Sequence, residues 1–127
     1  MNLNYTVMRT IILHDNDDDI LSLLSYILKE TGYSVHVTSV LDEHILKLVA
    51  EANPDMVLVD FIYNGEDAIA ACNLIRAFYP NLPVIATSCD SNIREKYQSV
   101  GFVDYLDKPF DLETLKALVR KHAYASN

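Results

Sequence analysis

Short runs of apolar and β-branched residues alternate along this chain with longer stretches in which apolar residues recur every three or four positions. Strands buried on both faces of a parallel sheet have continuous apolar sequences, whereas amphipathic helices have the three-and-four spacing. Five such pairs follow one another, and the predicted strands are residues 10–14, 34–38, 56–59, 83–87 and 103–107. The pattern therefore predicts an α/β fold, a single three-layer domain with helices on both faces of a five-stranded parallel sheet.

The stretches between these strands carry the start and stop signals of helices. The first helix is predicted to begin at Asp17 or Asp18, either of which can act as its N-cap, and to end at Gly32. A last helix follows a cap at Asp111. The helices between them are predicted at 42–52, 66–78 and 91–100. Residues expected on the buried faces of the first and last helices are Ile20, Leu23, Leu24, Ile27 and Leu28, and Leu112, Leu115, Leu118 and Val119.

The chain is acidic, with 18 Asp and Glu residues against 10 Lys and Arg and a formal net charge of -8. This charge disfavours direct binding to nucleic acid and favours cationic partners or a bound cation. No stretch approaches the roughly 20 apolar residues that span a bilayer, and the first residues lack a secretory signal pattern. We therefore expect a cytoplasmic protein that makes no membrane contact. Cys72 and Cys89 are expected to be reduced thiols.

Polar residues stand at the ends of four of the five predicted strands. Asp15 and Asn16 follow the first strand, Asp60 the third and Ser88 the fourth, and the fifth runs into Lys108. In open α/β sheets, ligands bind at the edge formed by the carboxyl ends of the strands, so these side chains are expected to converge there. Carboxylate and amide oxygens suit Mg²⁺, and a carboxylate nucleophile aided by a metal, a lysine and a hydroxyl can carry out phosphoryl transfer.

From Thr10 to about His122, the sequence resembles the receiver domains of two-component response regulators. The motifs that carry the resemblance are the acidic pair at Asp15 and Asn16, the apolar strand that leads to Asp60, the hydroxyl at Ser88, the aromatic ring at Tyr105 and the sequence Lys108-Pro109-Phe110. The resemblance implies a flavodoxin-like (βα)5 fold with strand order 2-1-3-4-5, and a cis peptide bond before Pro109. It also implies a single receiver domain over residues 1–127, with its core at about 9–123 and no effector domain.

By the same resemblance, Asp60 accepts a phosphoryl group from a histidine kinase or a phosphotransfer protein, and Asp15, Asn16, Asp60 and the backbone carbonyl of Ile62 hold Mg²⁺. Lys108 pairs with Asp60 and then with the phosphoryl group, while Ser88 and Tyr105 move as switch residues. The expected result is a changed surface on the fourth helix, fifth strand and fifth helix, where a downstream protein binds or a homodimer forms. Such a domain is not an enzyme, and it catalyses only its own phosphorylation and dephosphorylation.

Several positions depart from the family pattern. Asn16 replaces the usual second acid, so we expect weak Mg²⁺ binding, because charge count sets the affinity of a site for hard cations. Asp17 either compensates for this loss or caps the helix. Asn64 and Ala68 replace the usual proline and glycine in the loop after the third strand, and His14 stands where an aliphatic residue is usual. These substitutions leave an alternative open, a degenerate receiver that binds a partner protein without phosphorylation. A true enzyme, such as an Asp-x-Asp phosphatase that uses Asp15-Asn16-Asp17 or a flavin or nucleotide protein of similar architecture, is disfavoured. No glycine-rich phosphate loop follows the first strand.

Overall fold

The computed structural model describes residues 8–90 and 92–124, which form alternating strands and helices. The strands are β1 (Thr10–His14), β2 (Ser34–Thr38), β3 (Met56–Asp60), β4 (Val84–Ser88) and β5 (Asp104–Asp107). The helices are α1 (Asp18–Glu30), α2 (Ile45–Ala52), α3 (Glu66–Phe78), α4 (Ile93–Lys96) and α5 (Leu112–Ala123). Each predicted strand is present, with bounds that agree to within about one residue, the usual uncertainty of such assignments.

The five strands form one parallel sheet in the order β2-β1-β3-β4-β5, as predicted. The chain runs from β1 outward to β2 and then crosses to β3, so the strand order reverses between β1 and β3. Ligand sites of open α/β sheets lie at this reversal. Leu13 pairs with Leu58 across the two strands, which brings the carboxyl ends of β1 and β3 to the same level.

The core has two apolar layers, one on each face of the sheet. Because successive strand residues point to opposite faces, Ile11 and Leu13 pack with α1 and α5, whereas Ile12 packs with α2 and α3. Truncating a buried leucine or isoleucine to alanine costs about 2–5 kcal/mol. Both faces of β1 and β3 are therefore packed against helices, and this packing fixes the positions of the residues at their carboxyl ends.

Two leucines predicted to be buried are exposed. Leu23 is 58% exposed, because the stripe of α1 that faces the core runs through Leu21, Leu24 and Leu28 instead. Leu112 is 43% exposed, because it is the first residue of α5 and the buried face of that helix begins one turn later. Both errors come from apolar residues that lie beside the buried stripe of an amphipathic helix.

Two helices are shorter than predicted. Residues 42–44 form a tighter turn before α2, in which the backbone N–H of Ile45 donates to the carbonyl of Asp42 at 3.1 Å. The helix predicted at 91–100 begins at Ser91, which lies outside the described residues. Residues 92–100 form only α4, whose single buried residue is Ile93, and turns follow it up to Gly101. Short helices depend on packing for their stability, and α4 has little of it. No helix within residues 8–90 and 92–124 combines the length and apolar character that crossing a membrane requires.

Candidate functional site

The carboxyl ends of β1, β3 and β5 bring two carboxylates and an ammonium group together. Lys108 follows β5, and its Nζ donates to Asp15 Oδ2 at 2.7 Å and to Asp60 Oδ1 at 3.0 Å. Asp15 is 2% exposed and Asp60 7%, so these charges lie almost entirely out of water. Charge-assisted hydrogen bonds of this length are strong in such surroundings. The residues at three of the predicted strand ends thus converge as the sequence indicated.

The two carboxylates keep Lys108 protonated. Burial lowers the pKa of the Lys108 ammonium, but the hydrogen bonds to Asp15 and Asp60 and the attraction of both carboxylates outweigh burial, so that the net shift of this pKa is upward. The lysine is therefore a permanent positive charge at neutral pH. Its backbone is also fixed, because its N–H donates to the carbonyl of Ser88 at 2.8 Å. The peptide bond between Lys108 and Pro109 is cis, as the resemblance implies.

Asn16 turns its amide nitrogen towards Asp60. Its Nδ2 donates to Asp60 Oδ2 at 3.3 Å, so both carboxylate oxygens of Asp60 receive a hydrogen bond, one from Lys108 and one from Asn16. Asp17 caps α1, where its side chain accepts from the N–H groups of the first turn. Its own backbone N–H donates to Asp15 Oδ1 at 2.9 Å. Asp17 thus orients Asp15 through its backbone, while its carboxylate is engaged in capping the helix.

His14 belongs to the site, although its sequence position suggested an ordinary strand residue. The ring is 4% exposed, and its Nδ1 accepts a hydrogen bond from the backbone N–H of Asp60 at 3.2 Å. Burial lowers the pKa of His14, although the nearby charges of Asp60 and Asp15 act in the opposite direction. Among the described residues, Nε2 has no hydrogen-bond partner. The signal in the sequence was a polar residue that ends an otherwise apolar inner strand, directly before the acidic pair.

Ser88 ends β4 beside Lys108, and its hydroxyl is turned towards the loop that follows. Its Oγ accepts a hydrogen bond from the backbone N–H of Asp90 at 2.9 Å. The side chain is buried, and its carbonyl holds the backbone of Lys108. Ser88 therefore lies at the predicted edge of the sheet. Its hydroxyl would have to lose the hydrogen bond with Asp90 before it could reach Asp60.

The loop after β3 makes a sharp turn through residues with left-handed backbone conformations. Tyr63 has a φ of 58° and Gly65 a φ of 77°. A Cβ at position 65 would overlap the ring of Phe61, so both backbone conformation and packing require glycine. The N–H of Gly65 donates to the carbonyl of Ile62 at 2.9 Å, and Asn64 Oδ1 accepts from the first N–H of α3 at 3.3 Å. Asn64 therefore takes part in closing the turn.

Tyr105 lies on β5, half-buried, and is held by residues of α4 and the turn after it. Its ring packs against Tyr97 with the ring centroids 5.0 Å apart. Arg94 donates to Asp107 Oδ2 at 3.4 Å, and its interactions with Asp107 and Tyr105 raise the pKa of the Arg94 guanidinium. The predicted switch aromatic is thus fixed on the side of β5 that faces α4.

The oxygen atoms at this edge form a donor set that suits Mg²⁺. Two buried carboxylates, Asp15 and Asp60, share a single ammonium group, which leaves one net negative charge in the cluster. The backbone carbonyl of Ile62 lies two residues after β3 and accepts the N–H of Gly65 at 2.9 Å, so its second lone pair would be the one available to an ion. Mg²⁺ is commonly held by one or two carboxylates together with neutral oxygens and water, so the residues present fit the ion. Asn16 would join them only with its amide oxygen turned inward.

The family model of the response regulator receiver domain matches residues 11–120. The match covers most of the chain and includes Asp15, Asp60, Ser88 and Lys108. The chain therefore belongs to the response regulator receiver domain family, whose members are signalling modules of two-component systems.

Solved structures of response regulators share this fold. The response regulator protein TrrA from Thermotoga maritima, in complex with Mg(2+)-BeF, is 27% identical with a TM-score of 0.78, covering 90% of this chain and 98% of that one. A two-component response regulator from Clostridium difficile is 25% identical with a TM-score of 0.81, and the match covers 94% of this chain and 99% of that one. A second response regulator from Thermotoga maritima is 23% identical with a TM-score of 0.81, covering 94% and 100%. Each of these three chains is covered almost completely.

Proposed function

We propose that this receiver domain accepts a phosphoryl group on Asp60 from a histidine kinase or a phosphotransfer protein, with the assistance of Mg²⁺. The observation that carries the proposal is the pair of hydrogen bonds from Lys108 Nζ to the buried carboxylates of Asp15 and Asp60. A nucleophilic carboxylate, a second carboxylate and a fixed positive charge at one edge of the sheet are the groups that phosphoryl transfer requires.

In the proposed reaction, a carboxylate oxygen of Asp60 forms a bond to phosphorus while the bond between phosphorus and the donor's histidine nitrogen breaks. The donor imidazole leaves and takes up a proton. Lys108 neutralises charge on a transferred phosphoryl oxygen, because its ammonium already stands within hydrogen-bonding distance of Asp60. Bound Mg²⁺ would be held by Asp15, Asp60 and the carbonyl of Ile62, and would supply positive charge that offsets charge on the remaining oxygens.

Ser88 and Tyr105 are proposed to transmit the change. Ser88 would exchange its bond with Asp90 for one to the phosphoryl group, and Tyr105 would rotate towards the space that Ser88 leaves. That rotation would separate Tyr105 from Tyr97 and alter the surface of α4, β5 and α5. A downstream protein, or a second copy of this chain, would read the altered surface.

Asn16 is proposed to weaken Mg²⁺ binding, since it adds no charge to the site and occupies an oxygen of Asp60. Asn16→Asp should therefore lower the dissociation constant for Mg²⁺, by roughly tenfold if the added charge contributes about 1.4 kcal/mol. Isothermal titration with Mg²⁺ measures this change. Asp18→Asn is the matched control, because Asp18 is an exposed acid in the first turn of α1. Equal affinities for Mg²⁺ in the wild type and Asn16→Asp would contradict the proposed role.

Phosphorylation itself is tested by incubating the protein with Mg²⁺ and acetyl phosphate, followed by intact-mass measurement. We expect one phosphoryl adduct on the wild type and on Asp18→Asn, and none on Asp60→Asn. Hydroxylamine should release the phosphoryl group as phosphate by attacking the acyl carbon of Asp60, which leaves a hydroxamate, as it does with an acyl phosphate. An adduct that persists in Asp60→Asn would contradict the proposal. A wild type that remains unmodified in both this assay and an assay with a phosphorylated histidine donor would favour the phosphorylation-independent binding module instead.

A further inference from the structure

The backbone amide of Asp60 is bound by a side chain where the sheet would ordinarily supply a backbone carbonyl. β1 and β3 pair through Ile11 with Met56, Ile12 with Val57 and Leu13 with Leu58. In a parallel ladder with this register, the next bond would run from the N–H of Asp60 to the carbonyl of His14. The pairing ends at Leu13 and Leu58, and the N–H of Asp60 donates at 3.2 Å to Nδ1 of the His14 ring.

The imidazole therefore bridges the gap that opens between β1 and β3 at the site. On the opposite side of β3, the N–H of Phe61 donates to the carbonyl of Thr87 at 2.7 Å, so the strand end is held by β4 there. On the β1 side, the hydrogen bond at this level is the one that the N–H of Asp60 donates to Nδ1 of His14. Nδ1 can accept this hydrogen bond only when it carries no proton, which requires the neutral ring with its proton on Nε2.

We propose that His14 is a positioning residue for phosphoryl transfer: its neutral ring anchors the backbone amide of Asp60 and so fixes the place of the nucleophilic carboxylate. The side chain of Asp60 is held by Lys108 and Asn16, but its backbone is set by His14 and β4. An aliphatic residue at position 14 either leaves this buried amide unpaired or lets the two strand ends close together. Either change displaces the carboxylate from the ammonium and the metal ligands. The inference deepens the proposed function and rests on it.

The substitution that tests this role is His14→Leu, which removes the acceptor, with His14→Asn as the conservative variant. The oxygen of an asparagine side chain can reach the place of Nδ1, so Asn restores an acceptor without the ring. His36→Leu is the matched control, because His36 is an exposed histidine of β2. In single-turnover phosphorylation by acetyl phosphate, we expect His14→Leu to lower the maximal rate about tenfold, with little change in the half-saturating donor concentration. His14→Asn should recover most of the rate.

A second measurement reads the hydrogen bond without phosphorylation. In the wild type, ¹⁵N NMR should show an unprotonated Nδ1, a protonated Nε2 and a scalar coupling across the hydrogen bond between the Asp60 amide nitrogen and Nδ1. The inference is overturned if Nδ1 carries the proton, if the coupling is absent, if His14→Leu keeps the wild-type rate, or if His14→Asn is as slow as His14→Leu. If the wild type accepts no phosphoryl group, the proposed function fails, while the NMR measurement still decides whether His14 anchors Asp60. Circular dichroism sets a temperature at which all variants are folded.

Discussion

Replacing Lys108 by methionine removes a positive charge that contacts the two buried carboxylates of Asp15 and Asp60. Methionine keeps the volume of the stem, so the change is mainly electrostatic. Both carboxylate oxygens lie within 3.0 Å of the same nitrogen, which places them less than about 6 Å apart. At that distance, two unit charges repel by about 3 kcal/mol at an effective dielectric constant near 20. Removing one partner of a buried ion pair costs about 3–5 kcal/mol, a large share of the stability of a small domain.

The expected loss depends on pH in a defined direction. Without the lysine, the folded protein binds protons at Asp15 and Asp60 more readily than the unfolded chain does. Stability then falls as pH rises through the range in which carboxylates ionise. Urea denaturation of Lys108→Met should therefore show a loss of about 3–5 kcal/mol near neutral pH and less than half of it near pH 4. Mg²⁺ should stabilise this variant more than the wild type, because the ion replaces the missing positive charge.

Lys116→Met is the matched control for this experiment. Lys116, which is half-buried, makes an ion pair at 3.8 Å with the exposed Glu113 one turn earlier on α5. Such surface pairs contribute about 0.3–0.5 kcal/mol. The reasoning is refuted if Lys108→Met loses no more stability than Lys116→Met, or if its loss is the same at both pH values. A loss that Mg²⁺ does not reduce would show that the ion binds elsewhere.

Three further predictions concern the loop after β3, the start of α5 and the thiols. Gly65→Ala should lower stability by about 1–3 kcal/mol in thermal denaturation, because the residue has a positive φ and its Cβ overlaps the ring of Phe61. Hydrogen bonds from the first turn of α5 lower the pKa of Asp111, so the stabilisation by its carboxylate is present at neutral pH and lost as pH falls below about 4. The difference in melting temperature between the wild type and Asp111→Asn should therefore shrink as the pH is lowered through this range. Burial raises the pKa of Cys72 to about 11, so alkylation of the folded protein near neutral pH should modify Cys89 alone.

The sequence predicts most of the fold because the signals of the inner strands are local and strong. β1 and β3 are continuous apolar runs between polar residues, and their identity as inner strands follows from composition alone. α4 was predicted too long, because its polar residues are compatible with a helix while its packing, which decides the length, depends on Ile93 alone. Leu23 was misplaced for a related reason: periodicity indicates that a helix is amphipathic more reliably than it indicates which neighbouring residue lies inside.

The site is predictable as a set of residues but not as a set of contacts. Asp15, Asp60 and Lys108 stand at strand ends, and a parallel sheet brings strand ends to one edge whatever the details of packing. The direction of the Asn16 amide and the bond from the Asp60 backbone to His14 depend on the local separation of β1 and β3. Sequence spacing gives the order of strand residues, and it does not give the gap between two strands where their ladder ends.

Asn16 and Lys108 together set the charge balance of the site. Two carboxylates and one ammonium leave one net negative charge, whereas an aspartate at position 16 would leave two. With one net negative charge instead of two, Lys108 neutralises a larger share of the negative charge in the cluster. The free energy gained by binding a divalent cation is therefore smaller. The Asn16 amide adds a hydrogen bond to the Asp60 oxygen that Lys108 does not contact. If this balance governs the site, Lys108→Met and Asn16→Asp should each increase the stabilisation by Mg²⁺, because each makes the cluster more negative by one charge.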